Sequence, residues 1–312
     1  MEKSHENVGN RQKTSGRDSE GEKDCKKLYF MPESLSRAIQ IREKYKSVHV
    51  IAGGTDILVE NFERLHEVKG WLDLNRIDEL RHIAVGEKEI KIGSMVTHEK
   101  LNRDPAIGKF CPLLSQAAGE VGSLQIRSRG TLGGNIVTSS PAGDTLAPLL
   151  AHRARFVLTG IEGSREIAAE DFFTGPKENV LRPDELLSEI IIPRPSETER
   201  FYWEKVGKRQ AMIISSVTVA LAVELDDNQT IIRARPCYGA VAPTPLLADQ
   251  LAEFMQGQRL ADIDTFQAGE IAAKNVSPID DIRGTESYRR DVVKDITKRG
   301  LETIKRREEA GS

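Results

Sequence analysis

Val48-His49-Val50-Ile51-Ala52 reads as a short apolar strand that runs straight into Gly53-Gly54-Thr55-Asp56, and Thr131-Leu132-Gly133-Gly134-Asn135 repeats the pattern much later in the chain. Glycine has no Cβ, so consecutive backbone N–H groups can converge on a single oxyanion. Thr55 adds a hydroxyl donor. Asp56 is acidic and cannot face a phosphate, so it suits a turn cap or a ribose hydroxyl. One Gly-Gly pair reads equally well as a strand-end turn. Two of them, each beside a short apolar strand, match the two anionic centres of a diphosphate. Neither loop has the G-x-G-x-x-G of a Rossmann fingerprint or the Gly-Lys of a Walker loop, so the pattern points to holding a dinucleotide and not to cleaving one.

Outward from these loops, residues 70–74 and 89–93 read as strands, the second alternating charged and apolar positions. Residues 112–120 read as a helix, and 154–158 and 187–192 as further strands, the last closed by Pro193 and Pro195. The stretch 193–199 is the best linker in the chain. Beyond it, 215–225 and 230–241 read as two long strands joined by Asp226-Asp227-Asn228-Gln229, with mostly helix from Thr244 onward. In the last helix Val293, Ile296, Gly300 and Ile304 form one stripe. Toward the N-terminus, Leu28-Tyr29-Phe30 opens the ordered part, followed by a helical face of Leu35, Ala38, Ile39 and Arg42. From Met1 to Lys27 the apolar residues are Met1, Val8 and Cys25 alone, which predicts a disordered tail. Residues 306–312 read as a second tail.

Composition narrows the function. The 312 residues carry 45 Lys and Arg against 48 Asp and Glu, a formal net charge of −3, so no basic excess favours nucleic acid. No apolar run is long enough to span a bilayer, and the expected location is the cytoplasm. Cys25, Cys111 and Cys237 are scattered, without CxxC spacing, and cannot form a four-thiolate cluster or a zinc ribbon. No metal site is expected, and redox chemistry needs an organic cofactor. His49, His66, His82, His98 and His152 are separated in sequence and read as structural or exposed.

The glycine motifs, together with Gln125-Ile126-Arg127, Asp144, Phe173-Thr174-Gly175-Pro176, Pro183-Asp184-Glu185-Leu186-Leu187, Lys205-Val206-Gly207-Lys208-Arg209, Asp281-Ile282-Arg283-Gly284-Thr285 and Tyr288-Arg289-Arg290, resemble the FAD-binding medium subunit of the molybdenum hydroxylase family, xanthine dehydrogenase type. They are also similar to the flavoprotein subunit of carbon monoxide dehydrogenases. The resemblance implies an α+β protein. Residues 28–198 would form a two-subdomain FAD-binding fold of the vanillyl-alcohol oxidase type, split near residue 84. Residues 199–305 would form a C-terminal domain of antiparallel sheet and helices.

It also implies a site. Val50, Ile51, Ala52, Gly53, Gly54, Thr55, Asp56 and Ile57 would wrap one side of the FAD diphosphate, and Thr131, Leu132, Gly133, Gly134 and Asn135 the other. Asp144 would hold polar atoms of FAD, Leu187 would lie against the flavin, and the Lys205 ammonium would sit near the electron-rich pyrimidine edge. Read from the residues alone, Asp144 is equally a loop cap after Pro141-Ala142-Gly143, and Lys205 a solvated lysine in a basic run with Lys208 and Arg209. Arg127 and Arg129 either offset phosphate charge or form surface ion pairs. Val121 stands where some relatives place an aromatic ring, and an aliphatic residue cannot stack in that way.

No catalytic side chain is expected on this chain. The implied FAD is noncovalent, and 2Fe-2S clusters and molybdopterin belong to partner polypeptides, a small iron–sulfur subunit and a large molybdopterin-binding subunit. NAD is the expected electron acceptor, and xanthine or another purine the expected substrate of the assembly. A free-standing flavin oxidase and a non-catalytic flavin-binding scaffold are the alternatives.

Overall fold

The computed structural model describes residues 27–60, 67–207, 214–282 and 284–311. The tail expected at the N-terminus (apart from Lys27), His66, Lys208, Arg209 and Arg283 lie outside the described residues. The first unit is a three-stranded parallel sheet of β1 (Leu28–Phe30), β2 (His49–Ile51) and β3 (Gly70–Asp73), with β3 between the other two. Helix α1 (Leu35–Lys44) crosses from β1 to β2. It starts where the Ser34 side chain accepts from the Arg37 N–H at 3.3 Å. Ala38, Ile39 and Ile41 are its buried face, packed with Leu72, Leu74 and Ile77. The apolar run after the glycine pair forms a single helical turn, α2 (Ile57–Glu60).

The second unit begins with β4 (Ile83–Val85) and β5 (Glu89–Gly93). A run of short helices follows: α3 (His98–Arg103), α4 (Pro105–Phe110), α5 (Pro112–Gly119), α6 (Leu124–Arg129), α7 (Leu132–Thr138) and α8 (Leu146–Ala151). Next come β6 (Arg155–Gly160), β7 (Gly163–Ala168), α9 (Ala169–Phe172), the small ladder of β8 (Phe173–Gly175) with β9 (Glu178–Asn179), and β10 (Leu186–Pro193). The resulting antiparallel sheet has the order β4-β5-β10-β6-β7. The strand added last takes the central place, which is why Ile190, Ile191 and Ile192 are all buried.

After residues 194–198 the chain enters the third unit, an antiparallel sheet of β11 (Glu199–Val206), β12 (Val217–Leu225), β13 (Ile231–Gly239) and β14 (Leu246–Leu247), in that order. Helices α10 (Asp249–Met255), α11 (Thr265–Asn275) and α12 (Glu286–Gly311) cover one face. Strand β12 is buried on both sides, and its period of two sorts the residues by size. Val217, Val219, Leu221, Val223 and Leu225 pack with Val293, Ile296 and Ile304 of α12. The small Ala220 and Ala222 point the other way, into the core that contains Leu146, Leu149 and Leu150 of α8. This shared packing seats the third unit on the second. Two boundaries differ from the sequence reading. The expected tail at 306–312 is mostly helix, since α12 runs to Gly311, and β11 occupies residues that had no strand assignment.

Phe156 on β6 stands edge-on to Phe172 and Phe173, with centroid distances of 5.1 and 6.2 Å, in the core beneath the helices. Phe156→Ala should lower stability by about 3–5 kcal/mol, read from urea unfolding. A loss below about 1 kcal/mol would show that this core can collapse around the missing ring.

Candidate functional site

The first glycine segment is held from below. Leu74 N–H donates to the Ile51 carbonyl at 3.0 Å, and the Asn75 side-chain amide donates to the Ala52 carbonyl at 2.7 Å. Arg81 in turn donates to the Asn75 carbonyl at 2.9 Å. At Gly53 a Cβ would lie 2.0 Å from the Arg129 carbonyl oxygen, so the backbone here rests directly on the chain leading into Thr131. Gly54 has φ +75°, which penalises every residue with a Cβ. The N–H groups of Gly53, Gly54 and Thr55 have no acceptor among the described residues and are half-buried, as an anion cradle requires. Asp56 is exposed, and its carboxylate accepts from the Thr138 hydroxyl at 3.2 Å. The two motifs, distant in sequence, are therefore neighbours in space. Val50 and Ile51 end β2 below the loop, and Ile57 opens α2.

The second segment is built differently from the expectation of a second nest beside a strand. It is the start of α7, with Thr131 as the N-cap. The Thr131 hydroxyl accepts from Gly134 N–H at 3.0 Å, Leu132 N–H donates to Val96 O at 2.9 Å, Gly133 N–H to Ser94 O at 2.9 Å and Asn135 N–H to Thr131 O at 3.0 Å. All four amides are spent inside the protein, so this segment cannot form a backbone nest. Its glycines serve shape. Gly133 packs on Ser94, where a Cβ would come within 2.6 Å, and a Cβ on Gly134 would press on the Thr131 hydroxyl at 2.9 Å. The Asn135 side-chain oxygen accepts from the Thr145 hydroxyl at 2.6 Å, tying α7 to the loop that carries Asp144.

Asp144 and Lys205 lie together and are bonded to each other, with Lys205 Nζ 2.7 Å from Asp144 Oδ2. Both side chains are about nine-tenths buried, so the reading of Lys205 as a solvated surface lysine does not hold. The ammonium also donates to the Glu120 carbonyl at 3.0 Å, and the Ser215 hydroxyl donates to the other Asp144 oxygen. Burial pushes the Asp144 carboxyl above its usual range, while the Lys205 ammonium and the Ser215 hydroxyl pull it back. The Glu120 carboxyl is likewise raised by burial, against the opposing pull of Lys205 and an N–H from Trp203 at 3.3 Å. Leu187, whose backbone or side chain is expected against the flavin, has its side chain 5% exposed, in the main core. Val121 is half-buried at the end of α5. Arg127 pairs with Glu99 at 3.1 Å, and Arg129 is exposed.

Asn75, Ser94, Glu120, Thr138, Thr145, Trp203 and Ser215 support the site without any local sequence signal, because each acts across a long separation. Two buried imidazoles stand nearby. His98 donates its backbone N–H to the Gly130 carbonyl at 3.0 Å and has an imidazole pKa lowered from 6.5 to about 4, first by burial and then by Arg127. His152 is lowered to about 3 by burial and by Arg153. The unfolded chain therefore binds protons below pH 6.5 that the folded chain refuses. Stability contributed by these residues is complete above pH 6.5 and declines as the pH falls toward 4. His98→Gln should flatten part of that decline in urea unfolding measured at successive pH values. An unchanged slope would contradict a neutral buried His98.

Comparison with known proteins gives this geometry a context. Residues 22–195 match the family described as the FAD binding domain in molybdopterin dehydrogenase, and residues 203–304 match the carbon monoxide dehydrogenase flavoprotein C-terminal domain. The chain is 34% identical over 245 residues to the nicotinate dehydrogenase FAD-subunit of Eubacterium barkeri, covering 77% of this chain and 82% of that one. It is 29% identical over 274 residues to the putative xanthine dehydrogenase FAD-binding subunit of Escherichia coli, covering 87% and 93%. A solved structure of carbon monoxide dehydrogenase from Hydrogenophaga pseudoflava superposes with a TM-score of 0.85 at 28% identity, covering 90% of this chain and 98% of that chain.

Gly54→Val forces a β-branched residue to positive φ, a strain of about 1–3 kcal/mol, and turns the free N–H row out of line. Gly134→Val presses on the Thr131 hydroxyl that caps α7, at the start of the second segment. Both variants should keep the wild-type circular dichroism spectrum and lose FAD binding in a fluorescence titration. Wild-type affinity in both would reduce these segments to turns.

Proposed function

Since the chain belongs to the family of FAD-binding domains of molybdopterin dehydrogenases, we propose that it is the electron-output subunit of a molybdenum hydroxylase, taking electrons from 2Fe-2S clusters of a small partner subunit and delivering them to NAD. Substrate oxidation then belongs to a large molybdopterin-binding subunit. The observation that carries this reading is the unpartnered N–H row of Gly53, Gly54 and Thr55, set against the backbone of Arg129.

The residues present fit FAD. Three free amides suit a phosphate of its diphosphate. A bound FAD supplies exchange between one-electron carriers and a hydride acceptor. Everything else is the work of this chain. Gly53, Gly54 and Thr55 bind the anion. Asp56, outside the N–H row and bonded to Thr138, keeps the α7 end of the cradle against the loop. The Lys205 ammonium offers a buried positive charge on the same side as Asp144. The core packing of Leu187 leaves its backbone, and not its side chain, as the part that would meet the cofactor.

The substrate we propose for the assembled enzyme is a purine of the xanthine class, supported by the similarity to a putative xanthine dehydrogenase subunit. The higher identity to a nicotinate dehydrogenase subunit favours a second reading, a pyridine carboxylate. The purified chain should release FAD, noncovalently held, on denaturation and chromatography. NADH should reduce its flavin, while xanthine and nicotinate should do so only after the partner subunits are added. Release of FMN, covalently retained flavin, or heterocycle oxidation by the single chain would contradict the proposal.

A further inference from the structure

Asn75 follows β3, whose parallel register sets Ile51 of β2 opposite Asp73 and so brings Asn75 alongside the start of the first glycine segment. Its side-chain amide is fully engaged. Nδ2 donates to the Ala52 carbonyl and to Asp73 Oδ1, each at 2.7 Å, and Oδ1 accepts from Arg81 at 3.4 Å. With two acceptors on one side and a guanidinium on the other, a single orientation of the amide satisfies every partner. Asp73 is buried, and its Oδ1 also accepts the Asn75 backbone N–H at 2.8 Å, while its Oδ2 accepts the Tyr29 hydroxyl at 2.5 Å. Tyr29, Asp73 and Asn75 thus form a chain of hydrogen bonds that ends on the Ala52 carbonyl.

That carbonyl belongs to the peptide unit whose N–H is the first of the free row. In a trans peptide the C=O and the following N–H point in opposite directions, and none of the described peptide bonds is cis. A donor fixed on the Ala52 oxygen therefore holds the plane of the 52–53 peptide and leaves the Gly53 N–H on the far side from Asn75, where it has no acceptor among the described residues. The same bond polarises the unit and makes that N–H a stronger donor. Gly53 itself, lacking a Cβ, does little to stop the peptide from turning. The last unit of the row is held by other means: Leu58 N–H donates to the Gly54 carbonyl at 3.3 Å and fixes the peptide that carries the Thr55 N–H.

We propose that Asn75 is a positioning residue for the cofactor phosphate: held in place by Asp73, it fixes the 52–53 peptide and presents the Gly53 N–H to the anion. The proposal rests on the FAD reading above and adds to it a residue that acts through the backbone.

The test uses the full chain, with FAD affinity measured by fluorescence titration of the flavin-free protein and amide exchange followed residue by residue by NMR. Asn75→Ala should weaken FAD binding about tenfold. With FAD at saturation, exchange protection of the Gly53 N–H should fall about tenfold or more relative to wild type, while that of the Thr55 N–H stays within about threefold. A role in stability alone would lower both alike. Asn75→Ser, whose hydroxyl stands one bond short of the amide nitrogen, should act in the same direction by less, and it carries the test if Asn75→Ala does not fold. Unchanged affinity, a Gly53 N–H as protected as in wild type, or equal losses of protection at Gly53 and Thr55 would overturn the positioning role while FAD binding by the wild-type chain stands. A wild-type chain that binds no FAD would overturn both readings.

Discussion

The tightest approach at any described glycine is that of the Gly53 backbone to the Arg129 carbonyl, with space for no side-chain atom between them. The contact joins the parallel sheet to the helices of the second unit. It also turns two ordinary turn sequences into one cradle, because it places the free amides of residues 53–55 beside the start of α7. The neighbouring pieces converge on it: Asn75 holds the Ala52 carbonyl, His98 donates to the Gly130 carbonyl, and Thr138 reaches back to Asp56. The N–H groups of Gly53, Gly54 and Thr55 have no acceptor among the described residues, so this row is open to an anion.

Charge is handled separately from the anion cradle. Asp144 and the Lys205 side chain are buried and Glu120 stands exposed beside them, and desolvation raises both carboxyls while the cation restrains them. These three residues come from the end of α5, the α7–α8 loop and β11, so these charges lie on the seam between the second and third units. The small side chains Ala220 and Ala222 on β12 let α8 pack on that sheet and bring Lys205 within reach of Asp144. Packing and electrostatics are thus two aspects of one interface.

Much of this was legible in the chain. The strand before Gly53, the break after Pro193, the two long strands of the third unit and the stripe on α12 follow from periodicity and from glycine and proline placement. The residue classes at the first glycine motif pointed to the free amides found there. The division of labour between the two motifs was not legible, because an N–H is free or spent according to partners far away. Val96 and Ser94 consume the amides of Leu132 and Gly133, and no local pattern marks either residue as an acceptor. Strand β11, with its mixed charged and aromatic residues, carries no clean alternation, and it takes its conformation from pairing with β12. The pairing of Asp144 with Lys205 is likewise a product of tertiary contact.

Amide hydrogen exchange with and without FAD tests the cradle most directly, resolved to peptides that cover residues 50–58 and 131–136. The account predicts strong new protection at Gly53, Gly54 and Thr55, whose N–H groups are free without the cofactor, and little change at Leu132, Gly133, Gly134 and Asn135, which are already bonded. Protection confined to the second segment, or none in either, would contradict it.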